Sequence, residues 1–198
     1  MTELPISPRI RYRPATDDPL SADIGIVRTE SGVWLFDVGA DPRAVEGLDG
    51  EYRVVLSHFH ADHTANLDRI RAAELYVSPM TLRHTHRGQA VDRELWIDGV
   101  HIFALPSSHA KGCLGLEADG FAFVGDGLYS RVRDGFFVFN AQLVYEELRV
   151  LRSLQADTLL VSHRPGLVQS RSEAVAQLEQ IYALRQKNNP EILVPRGE

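Results

Sequence analysis

The 198-residue sequence predicts an α/β sandwich with internal pseudo-symmetry. Three observations carry that prediction. Runs rich in apolar and β-branched residues come first, and a helical segment follows. The same order then occurs a second time. Ser-Gly and Asp-Gly pairs punctuate the runs where hairpins would turn. Two sheets packed together with helices outside bury such a pattern.

The elements follow in order. "ADIGIVRTE" and "GVWLFDVGA" flank Ser31-Gly32 and read as a hairpin. "YRVVLSH" is apolar and β-branched, like a strand covered on both faces. "DHTANLDRIRAAE" reads as a helix starting near Asp62, and "ELYVSP" as the next strand. "TLRHTHRGQAVDR" fits either a short helix or a loop. In the second half "ELWIDGVHIFALPSSH", "CLGLEAD" and "FAFVGDGL" are strands, with turns at Asp98-Gly99 and Asp119-Gly120. "AQLVYEELRVLRSL" places Leu143, Val144, Leu148, Leu151 and Leu154 on one helical face. "DTLLVSH" is a buried-type strand. "SRSEAVAQLEQIYALRQ" is a helix in which Ser170 and Glu173 fit a capping box. The closing "LVPRGE" looks like a protease-cleavable tag linker. Residues 1–190 are therefore read as one domain and 191–198 as a tail.

Composition narrows the classes. Apolar residues make up 44%, ordinary for a globular protein. No apolar run approaches the roughly 20 residues of a membrane-spanning helix. The start lacks a secretory pattern, and the single Cys113 excludes an internal disulfide and a Cys-rich metal site. Both favour the cytoplasm. A net charge of −6 argues against a nucleic-acid partner. The expected partner is a small-molecule substrate, with a homodimer as the oligomeric option. Only two of the 21 basic residues are lysine, and one of them, Lys111, lies beside His109.

The densest chemistry is "LSHFHADHTAN", with His58, His60, Asp62 and His63 inside six positions. If the chain stays extended after the strand, His58 and His60 point the same way, as ligands of a borderline-soft divalent cation would. Asp62 and His63 sit where the chain turns into a helix and can reach a second point. His109, Asp126 and His163 each follow a predicted strand, so all seven ligands would face one rim. A carboxylate such as Asp126 can bridge two cations, which an imidazole cannot. His84, His86 and His101 have no such strand-end placement and are read as non-ligands.

This ordered set resembles the metallo-β-lactamase-fold superfamily over about residues 22–184. The HxHxDH string matches, as do His109, Gly125-Asp126 and His163, and "WLFDVGA" is similar to the family's buried Asp-x-Gly segment at Asp37 and Gly39. The resemblance implies a four-layer αββα sandwich of two packed mixed β-sheets with outer helices and pseudo-two-fold halves. It implies one metal held by His58, His60 and His109, a second by Asp62, His63 and His163, and Asp126 between them. Asp37 would support the ligand loop. Two departures stand out: Ser108 where glycine is common before the third histidine, and "SHRPG" around His163. The compact spacing is closer to glyoxalase II-like thioesterases than to secreted antibiotic-degrading members.

Two ions about 3.5–4 Å apart share a water and lower its pKa towards about 7. The expected activity is thus a dinuclear metal-dependent hydrolase using a metal-bridging hydroxide on a thioester, ester or lactone. Zinc is the expected ion, with iron or manganese as alternatives. Asp62 can pass a proton. Tyr129 is the candidate oxyanion donor, and Lys111 and Arg164 are candidate anion holders. A phosphodiesterase would use the same site. Iron persulfide dioxygenases of the superfamily keep the HxHxDH string on one iron and form the alternative in another reaction class.

Overall fold

Pairing of the apolar runs builds two large sheets in the computed structural model, which describes residues 1–196. In the first half, β1 (Leu4–Pro5) and β2 (Ile10–Arg13) precede a small hairpin of β3 (Thr16–Asp17) and β4 (Leu20–Ser21). The expected hairpin is β5 (Ile24–Thr29) with β6 (Gly32–Phe36), paired Thr29 to Gly32 across a two-residue turn. β7 (Glu51–Val55), β8 (Arg71–Val77) and β9 (Gln89–Ala90) then add in parallel, giving the order β1-β2-β5-β6-β7-β8-β9. α1 (Ala61–Thr64) and α2 (Pro79–Thr85) lie in the crossovers.

The second half repeats the scheme. β10 (Glu94–Ile97), β11 (Val100–Leu105), β12 (Cys113–Ala118) and β13 (Phe121–Gly125) run antiparallel. Their tight turns use the expected pairs, with Asp98 and Gly99 at φ 51° and 76° and Asp119 and Gly120 at 52° and 81°. Positive φ at both central residues is what a two-residue hairpin requires. β14 (Arg131–Arg133), β15 (Phe136–Asn140) and α3 (Ala141–Ser153) come next. β16 (Thr158–Val161) joins β13 in parallel, and β17 (Val168–Ser170) and α4 (Arg171–Ala183) follow. The order is β10-β11-β12-β13-β16-β17. Each half thus runs through three antiparallel pairings into a parallel one.

Burial confirms the layers. Trp34, Phe36 and Tyr76 of the first sheet meet Ile102, Leu116 and Phe123 of the second in a central core. Ile26, Leu35 and Leu75 pack outward against Val45, Leu67 and Ile70, and Leu105, Val124 and Leu159 pack outward against Leu148, Leu151 and Leu178 of α3 and α4. α3 is capped by the Asn140 side chain on the Leu143 N–H, and α4 by Ser170 on the Glu173 N–H, the first half of the expected capping box.

Two expectations are corrected. The helix read from Asp62 through "RIRAAE" is one α-helical turn, a 3₁₀ turn at Leu67–Arg69, and then β8. Asn66 donates its side-chain amide to Val38 and Asp41 carbonyls, which pins the turn. Pairing of Arg71 and Ala72 with Glu51 and Tyr52 then overrides local helix preference. Residues 191–195 of the expected tail form β18 (Glu191–Pro195), paired with β15, and Ile192 is buried; residues 197–198 lie outside the described ones. β15 and β18 thus form a separate three-stranded sheet with β14.

Two stability tests follow from this packing. Gly25 faces the opposing sheet so closely that an added Cβ would stand 2.4 Å from the Phe123 ring. Gly25→Ala is expected to cost about 1–3 kcal/mol through overpacking, read as a lower urea midpoint at unchanged slope. Glu147 lies on the buried face of α3, with its Oε1 lacking a hydrogen-bond partner among the described residues. Burial pushes its carboxyl well above the ordinary carboxylate value. The folded state therefore holds a proton that the unfolded chain releases above about pH 4.5. The penalty is absent below that value and grows as pH rises. Glu147→Leu should stabilise the fold by about 1–3 kcal/mol at pH 8, with a smaller gain near pH 4.5. Equal gains at both values would show that the carboxyl is not shifted.

Candidate metal centre

The site forms where the strands of both sheets end. β7 stops at Val55, and the chain reaches α1 within six residues, which carry His58 and His60. Asp62 and His63 fall in α1 itself, behind His60 at its N-terminal boundary. Asp37, following β6, fixes this segment from beneath. It sits at φ 62°, is fully buried, accepts the Ser57 N–H at 2.7 Å on Oδ1, and takes the Nδ1–H of His63 at 2.7 Å on Oδ2. That bond sets the tautomer: Nε2 of His63 is left as a lone pair facing the site.

Three imidazoles converge on one point. His58 Nε2 and His109 Nε2 lie 2.9 and 3.1 Å from His60 Nδ1. Tetrahedral ligation with bonds of roughly 2.0–2.1 Å would separate nitrogens by roughly 3.3 Å. A second group joins Asp62, His63, Asp126 and His163; in each group the donor atoms lie within 4.8 Å of one another. Asp126 touches both, with Oδ2 3.4 Å from His63 Nε2 and 3.4 Å from His109 Nε2. The second half delivers its ligands by backbone devices. Gly125, before Asp126, has φ 53°, and a Cβ there would meet Ser57 at 2.7 Å. His163 stands at φ 59°, its N–H donated to Asp23 Oδ2 at 3.0 Å, while Asp23 Oδ1 accepts the Ala15 N–H.

The electrostatics call for a cation. His63 Nε2 and Asp126 Oδ1 are buried with no hydrogen-bond partner among the described residues. A lone pair aimed at two carboxylates is repulsive unless positive charge lies between them. Burial opposes charge on His63, yet Asp37 and Asp126 outweigh it and raise the ring to about 10, so without a metal a proton on the ring supplies that positive charge, and a bound cation would displace it. His58 moves the other way: burial first, then the neighbouring rings, push it to about 2. Burial works to raise Asp62, but its bond to His163 at 3.1 Å and the charge of His63 prevail and lower it to about 2. The seven donors offer neutral nitrogens and carboxylate oxygens, the set that divalent zinc-like ions accept.

All seven expected ligand residues are brought together. His84, His86 and His101 lie outside both groups. His84 stacks on Phe59 behind the ligand loop, His86 closes α2 at φ 55°, and His101 bridges Glu117 and Glu94 under Trp96. Tyr129 departs from expectation: its hydroxyl donates to the Ser162 carbonyl at 2.7 Å and is spent on the His163 loop. Arg164 likewise bonds the Val168 carbonyl and Gln169. The sequence reading missed Asp23 and Ser57; the only signal for Asp23 was a carboxylate opening an apolar strand.

Comparison with known proteins agrees with this fold. Residues 35–131 match the family model described as a beta-lactamase superfamily domain. A B3 metallo-beta-lactamase with an active-site glutamic acid superposes at TM-score 0.68 with 14% identity, over 92% of this chain and 89% of that one. The DIM-1 metallo-beta-lactamase gives 0.67 and 14%, over 90% and 97%. An archaeal metallo-beta-lactamase superfamily protein from Sulfolobus tokodaii gives 0.62 and 18%, over 91% and 90%. At these identities the likeness concerns the fold, which is the metallo-beta-lactamase fold.

Asp37→Asn should leave His63 without its charged anchor and weaken binding of one metal about 10–100-fold in chelator competition. His84→Ala should leave affinity unchanged; equal effects of the two would mean that the ligand loop is held in another way.

Proposed function

We propose that this chain is a beta-lactamase superfamily member and a dinuclear metal-dependent hydrolase, held as one domain and acting on a small-molecule thioester, ester or lactone in the cytoplasm. The observation that carries the proposal is the pair of buried, unpartnered atoms, His63 Nε2 and Asp126 Oδ1, at the meeting point of seven donors. His58, His60 and His109 would hold one ion, and Asp62, His63 and His163 the other, with Asp126 between them. Zinc suits the nitrogen-rich set. When bound, two such ions lower the pKa of a water and polarise a carbonyl or phosphoryl oxygen.

The chain's own residues do the rest. Asp62 Oδ2 lies 3.4 Å from His63 Nε2 and 3.1 Å from His163 Nε2, and as the carboxylate nearest the second group it would accept a proton from the attacking water and pass it to the leaving group. Asp37 and Asp23 hold His63 and the His163 backbone in place through the reaction. The compact spacing of His58, His109 and His163 supports the thioesterase-like branch over the antibiotic-degrading one.

Elemental analysis of protein from unsupplemented cells should find about two ions per chain. Chelation should abolish hydrolysis and added zinc restore it. His109→Ala and His163→Ala should each weaken one site by several kcal/mol, out of the roughly 10–16 that a whole structural zinc site supplies. Asp126→Ala should disturb both. One iron per chain, with oxygen consumed on a persulfide, would overturn the hydrolase reading.

A further inference from the structure

The centre opens sideways into two cavities of different charge. On the His163 side a cavity of about 280 Å³ is lined by Asp17, Asp23 and Arg164, and that arginine is already bonded internally. On the His109 side a cavity of about 360 Å³ is lined by Lys111 and Arg131. Neither forms an ion pair among the described residues, although many of the chain's arginines do. Both therefore keep hydrogen-bonding capacity at the cavity wall, although Arg131 also lies close enough to Glu191 to help lower its carboxyl.

This cavity is built, not incidental. Ser108 forms a parallel bridge with Ser130, so the loop carrying Lys111 is tied to the start of β14, which carries Arg131. Ser108 Oγ also accepts the Asn140 N–H at 3.0 Å, which fixes both loops to the first turn of α3. Ser107 Oγ accepts the His109 N–H at 3.0 Å, so the ligand and the cavity share one support. The residue that departs from glycine before the third histidine is the one that joins these pieces. An adjoining cavity of about 260 Å³ shares Lys111 and brings in Arg83 and Asp92, which form no ion pair with each other.

We propose that the cavity beside His109 is an anion subsite, in which Lys111 and Arg131 bind a carboxylate or phosphate carried by the substrate at a distance from the bond that is cleaved. The proposal deepens the hydrolase reading and rests on it. Arg131 offers a planar fork and Lys111 a mobile point charge, a pairing suited to an oxyanion with several acceptor atoms. Opposite charge on the two sides of the centre would fix which end of the substrate faces His109.

The test uses the metal-loaded protein and thioesters that carry no extra charge, a carboxylate or a phosphate, placed in turn on the acyl and the leaving side. The protein should prefer one anionic series over the uncharged one by about tenfold or more in kcat/KM. Lys111→Met with Arg131→Met should lower that selectivity ratio about 10–100-fold, through KM and not kcat. Lys111→Arg should retain it. The preferred series identifies the anion. Absence of preference in the parent protein, or its persistence in the double variant, would overturn the subsite. If no thioester is cleaved, the hydrolase reading has failed, and NMR decides the subsite alone. Glutarate and inorganic phosphate are titrated separately into both proteins. At least one should shift the Gly112 and Leu143 amides saturably in the parent and not in the double variant. Identical shifts in both, or none in the parent, would remove the proposal.

Discussion

The Asp37 carboxylate is the point on which the rest of the centre depends. A fully buried carboxylate is costly unless strong donors surround it. Asp37 has two, the Ser57 N–H and the His63 ring, and both belong to the segment that leads into α1. Satisfying this one group therefore fixes the path of the chain from the end of β7, the tautomer of His63 and the direction of its free nitrogen. The positive φ of Asp37 is the strain accepted for that placement. Asn66 and the Val38 N–H to His63 carbonyl bond brace the same turn from the other side.

The centre belongs to neither half alone. His58, His60, Asp62 and His63 come from the first half, and His109, Asp126 and His163 from the second. Their spacing is therefore a property of how the sheets pack. Phe36 stacks on Phe123 at 5.4 Å in the central core, and Phe123 fills the space that Gly25 leaves open. Close-packed interiors transmit displacements instead of absorbing them. A shift between the sheets would move one group of donors against the other.

Much of this was legible in the sequence, for physical reasons. Apolar alternation and Asp-Gly turns report strands and hairpins locally, and the strand-end histidines report a rim because strands of a sheet end together. What escaped was set by distant partners. "RIRAAE" has helical preference but pairs with β7, and Glu191–Pro195 becomes a strand only because β15 offers an edge. The support given by Asp23 to His163 spans 140 positions, and no local pattern announces it. Tyr129 follows Asp126 by three positions, but the Ser162 carbonyl that accepts its hydroxyl hydrogen bond comes from 33 positions away, beyond any local pattern.

The unpartnered donors also bear on stability. A group of lone pairs and carboxylates in a site of low dielectric is unfavourable to assemble, and the fold pays that cost through Asp37, Asp23 and the sheet packing around it. A cation bound there would take the place of the proton that Asp37 and Asp126 hold on His63. Binding free energy then adds to folding free energy by mass action. A cation held by donors from both halves would also help to hold the two halves together.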